Sequence, residues 1–513
     1  MKLRRNPLVV LAALMVGLFT TPQAHAQKAL RYAEDLAPRI VNPLFTTTMS
    51  EVRLNELLFD RLFRENYELK MVPSLVAEYR FKKGGNTMDI VLKKGLKWQD
   101  GTPLTAKDVV FSIEAYQNKK TVSTSARQVS FIKTATSSSD TELKLVFVKP
   151  EDNPERKLDF MILPAHKFKG KDYVQRNDPF KNKPVGTGPF KLTNYGDDNS
   201  ITLDRNTSYT SNISIPGIVM KEIPDRSQQA NLLKYESLDL VVKVLPKDVA
   251  ALEENRKVEL YPYQTNSWWY IGFNFKNPVL ADARVRRAIA SSVNIEELLK
   301  PIGTGDILSG PFVKSSPFYN HDEGVKPATL NLTQAGELLK SSGFVRKGDF
   351  YEKAGKPLVL RLSVQRSQDS AREVVLNLQT QLAKAGIKVE PSWESDASWK
   401  KKIWRDQDFD LVLSSWTFDA KEDIYDLFFS KGTKNFISYN NPQVDAELNK
   451  GVAAIDPQQR KQIYRQVHSD LNKDLPYIFL WSLDSYSAIS TRVENVTIHP
   501  FAYFSFIKDW VLR

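Results

Sequence analysis

The sequence predicts an α/β fold of layered strands and helices. Two observations carry that prediction: some segments alternate apolar residues with period two while others repeat them at helical spacing, and the two kinds follow one another with glycine or proline at the joins. Met88, Ile90 and Leu92 alternate with Asp89 and Val91, and Leu143, Leu145 and Phe147 repeat the pattern, so both stretches read as half-buried strands. Thr105-Ala106-Lys107-Asp108 resembles a capping box with Asp in place of Glu, and Val109, Ile113 and Tyr116 then fall on one helical face. Asp282 is placed to cap a helix carrying Val285, Ile289 and Val293 on its apolar side, and Asn294 starts another with Glu297 three residues on. Residues Asn331–Ser342 read as a helix closed at Gly343, where glycine tolerates the left-handed conformation that ends helices. Ser370–Ala385 is a further helix, with Val374, Val375, Leu378, Leu382 and Ala385 inward and Gly386 as its stop. Strands follow at Ile387–Glu390 and Phe409–Leu413. A helix at Gln458–Leu475 ends before Pro476 and leads into a strand at Tyr477–Trp481. Helix–turn–strand succession of this kind is the pattern of α/β layering. The chain has no internal repeat and no low-complexity tract, and crossings between its units are expected near Tyr263–Trp269 and Tyr477–Ser485.

The first residues read as an export signal. Lys2, Arg4 and Arg5 precede the apolar run Leu8–Phe19, and Ala24-His25-Ala26 gives a small-x-small cleavage pattern before Gln27. That run is too short to cross a bilayer, which needs about 20 apolar residues. Removal of Met1–Ala26 leaves 487 residues, enough for roughly three domain-sized units. The expected mature protein is soluble and extracytoplasmic. It has no cysteine for a lipid anchor, a disulfide, a zinc thiolate or a nucleophile. The formal charge of +12 falls to +9 without Lys2, Arg4 and Arg5, and the basic residues are scattered among acids rather than gathered into a nucleic-acid patch. A preference for anionic ligands stays open on charge alone.

Catalytic patterns are sparse. His166, His321, His468 and His499 stand far apart, and none forms His-Glu-x-x-His. Gly305–Gly310 has phosphate-loop glycine spacing but continues Pro311-Phe312 where Lys and Ser or Thr are required, so it reads as a loop. Ser130-Phe131-Ile132-Lys133 matches Ser-x-x-Lys without its partner motifs. The acid pairs Asp408/Asp410 and Glu422/Asp423 read as solvated carboxylates. No cofactor or protein-bound metal is expected.

The run from Met88 through Lys97-Trp98-Gln99-Asp100-Gly101-Thr102-Pro103 to Asp108-Val109-Val110-Phe111-Ser112 resembles the signature of the family 5 extracellular solute-binding proteins. Pro184-Val185-Gly186-Thr187-Gly188-Pro189-Phe190 is similar to the family's Gly-Thr-Gly-Pro-Phe block. Gly272-Phe273-Asn274 with Asp282–Ala288 is similar to its Phe-Asn…Val-Arg-x-Ala block, and the likeness runs in order from about Leu30 to the C-terminus. The resemblance implies a hinged, two-lobed periplasmic-binding-protein fold, with residues 27–268 as the first lobe, an extra subdomain at about 70–185 within it, 269–480 as the second lobe, and 481–513 returning to the first. It also implies a monomeric periplasmic receptor that hands peptides to the permease of an ABC importer, without catalysis.

Two charged contacts are implied by the same resemblance. Trp416-Thr417-Phe418-Asp419 matches a Trp-x-x-Asp spacing whose Asp pairs with a peptide amino terminus, although Ala420-Lys421-Glu422-Asp423 lacks the usual following proline. Val364-Gln365-Arg366 matches a stretch whose Arg holds the ligand carboxylate, a role suited to a planar guanidinium fork. Gly186, Thr187 and Gly188 are expected to bring backbone near the ligand or else to form a structural turn. Trp268, Trp269 and Trp416 are candidate aromatic walls, with core packing as the competing role. An oligosaccharide, opine, haem or nickel chelate is the alternative ligand. An exported chaperone or hydrolase is the alternative of another class.

Overall fold

The computed structural model describes residues 29–513 except 69, 152, 264–265, 369–370, 419–421 and 455. The expected signal segment Met1–Ala26 therefore lies outside the described residues. Two large sheets organise the chain. The first has seven strands in the order Val258–Tyr263, Ser485–Ser490, Leu240–Val241, Leu30–Glu34, Gly217–Glu222, Ile201–Arg205 and Phe190–Tyr195. The second has five, in the order Lys388–Glu394, Val359–Gln365, Leu411–Thr417, Ser267–Phe273 and Tyr477–Phe479. A four-stranded antiparallel sheet, Val76–Phe81, Gly85–Leu92, Glu142–Glu151 and Ile132–Ser137, packs into the core of the first lobe through Met88, Ile90, Leu143, Leu145 and Phe147.

Both large sheets are covered on two faces, and side-chain alternation in their strands assigns each residue to a layer. Along Ser267–Phe273, Ile271 and Phe273 join the core beneath the helices Ala283–Ala290, Leu332–Ser341 and Ala371–Lys384. Trp268 and Tyr270 face the other way, into the aromatic layer under the helices Pro442–Ala453 and Pro457–Asp474. In the first lobe, Leu30 and Tyr32 face the larger core, while Ala33 faces the helices Arg226–Lys234 and Pro246–Glu253. Each large apolar side chain buried this way contributes about 1.5–3 kcal/mol of transfer free energy.

The expected elements form with small shifts at their ends. The helix Leu332–Ser341 is capped by Asn331, whose side chain accepts from Gln334 N, and Gly343 follows at φ +85°. Gly386 at φ +80° stops Ala371–Lys384 in the same way. The Asp282-capped helix ends at Ala290, so Val293 is buried in the turn beyond it. Two expectations need correction. The strand begun at Tyr477 stops at Phe479, and Trp481–Leu483 pairs instead with Gly305–Ile307. The glycine-spaced segment thus begins as a strand and not a loop, because a Cβ on Gly305 would lie 2.2 Å from Ser482 O and only glycine permits the pairing.

Gly186, Thr187 and Gly188 are buried in a splice and do not line an open surface, which corrects their expected ligand role. Gly188 N donates to Leu58 O at 2.9 Å, where the helix Met49–Leu58 ends. The Thr187 hydroxyl accepts from Asp60 N at 3.2 Å. Gln99 joins from the Trp98–Pro103 turn: its N–H donates to Gly186 O at 3.0 Å, and its side-chain amide accepts from Gly186 N and donates to Phe190 O. The two motif blocks recognised in the sequence therefore touch, and a Cβ on Gly186 would sit 1.7 Å from Leu58 O. Gly186→Ala should lower unfolding free energy by at least about 3 kcal/mol in urea titrations, while ligand affinity per folded molecule stays unchanged.

His468 is fully buried and pins the loop 309–320. Asn320 N donates to its Nδ1 at 3.4 Å, so the ring proton sits on Nε2 and reaches Ser309 Oγ at 2.9 Å; the Ser309 hydroxyl in turn donates to Tyr319 Oη at 2.9 Å. Burial, with a smaller push from His321, lowers the His468 pKa from 6.5 to about 3. The fold binds this proton less readily than the unfolded chain does, so the stability contribution is complete above pH 6.5 and drains as pH falls from there toward 3. Between pH 7 and 5 the wild-type unfolding midpoint should therefore drop more steeply than that of His468→Gln, which starts lower but lacks the titrating group.

Candidate functional site: the crevice between the lobes

Strand direction defines the site. Val359–Gln365 runs parallel to both Lys388–Glu394 and Leu411–Thr417, while Ser267–Phe273 runs antiparallel between Leu411–Thr417 and Tyr477–Phe479. Gln365, Glu394, Thr417 and Phe479 consequently end on one edge, where Ser267 begins. Both chain crossings leave from that edge: the chain enters it after Tyr263 of the seven-stranded sheet and returns from it to Ser485 of the same sheet. The edge accordingly faces the first lobe, and a crevice at the carboxyl ends of parallel strands is where open α/β sheets receive ligands.

Contacts between the lobes bracket this crevice. At the hinge end, a Cβ on Gly303 would be 3.0 Å from Pro246 Cβ, and Asp484 N donates to Thr304 O at 3.0 Å. At the far end, Arg127 Nη2 of the first lobe lies 3.9 Å from Asp426 Oδ2 of the second.

Arg366 stands on the edge just past Gln365 and is exposed. Its backbone N–H is tied to Glu394 O at 2.8 Å, while among the described residues its guanidinium reaches only Trp393 O, at 3.4 Å. Trp416 is half-buried on the neighbouring strand and stacks on Tyr270, with centroids 6.3 Å apart and planes within 10°. Its edge meets Trp404 at 6.0 Å, and Trp404 keeps 37% of its surface exposed. Asp419 lies outside the described residues. Phe418, just before it, stacks on Trp268 at 5.9 Å and donates its N–H to Asn266 O.

Trp268 is 1% exposed, so it supports the edge from beneath and is no wall for a ligand. Trp269 points to the opposite face, against Trp481 at 6.3 Å, because successive strand residues alternate sides. Arg366 and Trp416 thus share the edge, whereas Trp268 and the Gly186–Gly188 splice are buried and the half-buried Trp269 packs on Trp481 across the opposite face. Sequence reasoning missed Trp404. It lies in the π-type turn Lys401–Asp406, and the available signal was a tryptophan set beside the run Lys400-Lys401-Lys402, which a buried helix would not tolerate. Among the described residues no three His, Asp or Glu side chains converge as a metal site, and no helix is long and apolar enough to cross a membrane.

The family described as bacterial extracellular solute-binding proteins, family 5 Middle, matches residues 70–436. The oligopeptide-binding protein AppA of Bacillus subtilis strain 168 is 25% identical over 543 aligned positions, covering all of both chains. The solved structure of AppA from Bacillus subtilis with a nonapeptide superposes with a TM-score of 0.76 at 24% identity, over 94% of this chain and 98% of that one. NikZ from Campylobacter jejuni with Ni(L-His) superposes with a TM-score of 0.78 at 22% identity, over 94% and 99%. These superpositions establish the fold.

The Arg127–Asp426 contact is an exposed pair and is worth up to about 1 kcal/mol. Reversing one charge should nonetheless move the balance between open and closed lobes. Arg127→Glu should raise the radius of gyration in small-angle scattering, and adding Asp426→Arg should restore the compact value.

Proposed function

The chain belongs to the family 5 bacterial extracellular solute-binding proteins, and on that premise we propose that it is the receptor of an ABC importer, capturing peptides in the crevice and passing them to a membrane permease. One observation carries the reading: two crossings side by side join sheets whose ligand-receiving edges face each other. Small rotations about two adjacent extended segments open and close the whole crevice, the hinge motion by which two-lobed receptors bind. Arg366 is the partner of a ligand carboxylate, to which a guanidinium fork offers two parallel hydrogen bonds. Asp419 is the partner of the amino terminus. Trp416 and Trp404 form an apolar shelf for side chains of varied shape. Closure strips water from these charges and strengthens each bond.

The proposal extends to the cell. Met1–Ala26 directs export and is removed, and the mature protein works as a soluble periplasmic monomer without lipid, cofactor or nucleic acid. The first lobe comprises residues 27–263 and 485–513, with its subdomain at about 70–185, and the second comprises 267–483, because the strands Ser267–Phe273 and Trp481–Leu483 both pair within the second lobe. Binding makes and breaks no covalent bond.

A ligand that binds only the folded form raises the unfolding midpoint by mass action, by about 2.7 kcal/mol at a hundred times Kd. In a panel of di- to octapeptides, sugars, opines and metal chelates, free peptides should raise the midpoint, whereas amidated peptides, or Arg366→Ala with free peptides, should raise it far less. A shift from metal chelates or sugars alone would sink the peptide assignment.

A further inference from the structure

The first lobe's wall of the crevice holds a cation, Lys243, that none of the described residues answers. Three adjacent parallel strands, Gly217–Glu222, Leu30–Glu34 and Leu240–Val241, end on this wall. Most charges there are committed. Glu34 takes both arms of Arg53 at 2.7 and 2.6 Å. Asp35 pairs with Arg226. Glu222 accepts from Ala37 N at 3.2 Å and from Asn199 Nδ2 at 2.7 Å. Asp225 caps its helix through Ser227 N and Gln228 N, and Asp248 accepts from the Ser227 hydroxyl at 2.8 Å. Lys243, two residues past the end of Leu240–Val241, has no hydrogen-bond or ion-pair partner among the described residues.

Its position is fixed on both sides. Val244 N donates to Tyr486 O at 2.9 Å, beside the returning crossing at Ser485, and Pro246 is the residue that meets Gly303 of the second lobe. Lys243 therefore lies at the hinge end of the crevice. The side chain keeps solvent access. Even so, surrounding protein lowers its pKa, and Arg226 pushes the same way against a weaker pull from Asp35. The ammonium is thus exposed beside the strand ends that form this wall. Left alone there, it bears a desolvation cost that an incoming anion removes.

We propose that Lys243 is the first lobe's counter-charge for a second carboxylate on the ligand, so that the protein selects peptides carrying an acidic side chain, held between Lys243 on one lobe and Arg366 on the other. The proposal rests on the peptide reading. It also gives the closed state an electrostatic bridge: a dianionic ligand joins the lobes through its own charges, whereas a monoanionic one engages a single lobe this way.

The test is calorimetric titration of the mature protein with di- to pentapeptides synthesised as Glu/Gln pairs at each position, together with acid–amide pairs of opines and other small dicarboxylates. At some position the Glu peptide should bind about tenfold or more tightly than its Gln twin. Lys243→Gln should erase that preference by weakening the Glu peptide to the level of its Gln twin, and should leave the unliganded unfolding midpoint at or above the wild-type value, since the cost of the unanswered ammonium is gone. Equal binding of all twins, or a preference that survives Lys243→Gln, overturns the assignment and leaves the peptide reading intact. A Lys243-dependent preference seen only among non-peptide acids keeps the assignment and overturns the peptide reading. Binding confined to ligands without a second acid overturns the assignment.

Discussion

The structure depends on one constraint: the two segments that join the lobes are neighbours in both sheets. Val258–Tyr263 pairs with Ser485–Ser490 in the first lobe, with Tyr263 opposite Ser485, and Ser267–Phe273 pairs with Tyr477–Phe479 in the second. One crossing alone would leave the lobes free to twist about a single chain. Two that are hydrogen-bonded into sheets at either end restrict relative motion to a narrow family of bends, so the crevice reopens and recloses on the same wall residues. The strand edges, the Gly303–Pro246 contact and the charges beside them all take their place from this arrangement.

Much of the fold was legible because the signals were local. Gly343 and Gly386 end their helices at positive φ as glycine after a periodic run implies, and Val374, Val375, Leu378 and Leu382 turn inward as their spacing requires. Errors arose where a partner distant in sequence decided the outcome. Gly305 was read by its spacing to Gly310, yet its strand exists because Trp481–Leu483 lies beside it. Gly186 and Gly188 were readable either as backbone brought to a ligand or as a structural turn, and only the distant carbonyl end of the helix Met49–Leu58, which they approach, decides between the two.

The site was legible to a lesser degree. Arg366 and Trp416 stand at the crevice edge of the second sheet because one follows its strand directly and the other is the last but one residue of its own, a feature that hydrophobic alternation reveals. Trp268 and Trp269 were drawn in by residue type alone, and period two sends them to opposite layers of a sheet covered on both faces. Lys243 carried no signal at all, since a lone lysine after a two-residue strand acquires meaning only when its neighbours prove to be committed elsewhere.

The position of Ser485–Ser490 also orders the history of each molecule. This strand lies between Val258–Tyr263 and Leu240–Val241, so the first lobe's sheet stays split until almost the whole chain has been delivered to the compartment where it folds. The second lobe's sheet, by contrast, draws only on the continuous stretch from Ser267 to Phe479 and can assemble by itself. The gap in the first sheet stays open until the whole second lobe and the residues after it have been delivered. During that interval two unpaired strand edges are offered to other chains. The last thirty residues act as the closing piece of the lobe that was begun first, and a molecule truncated there would keep an intact second lobe attached to an unfinished partner.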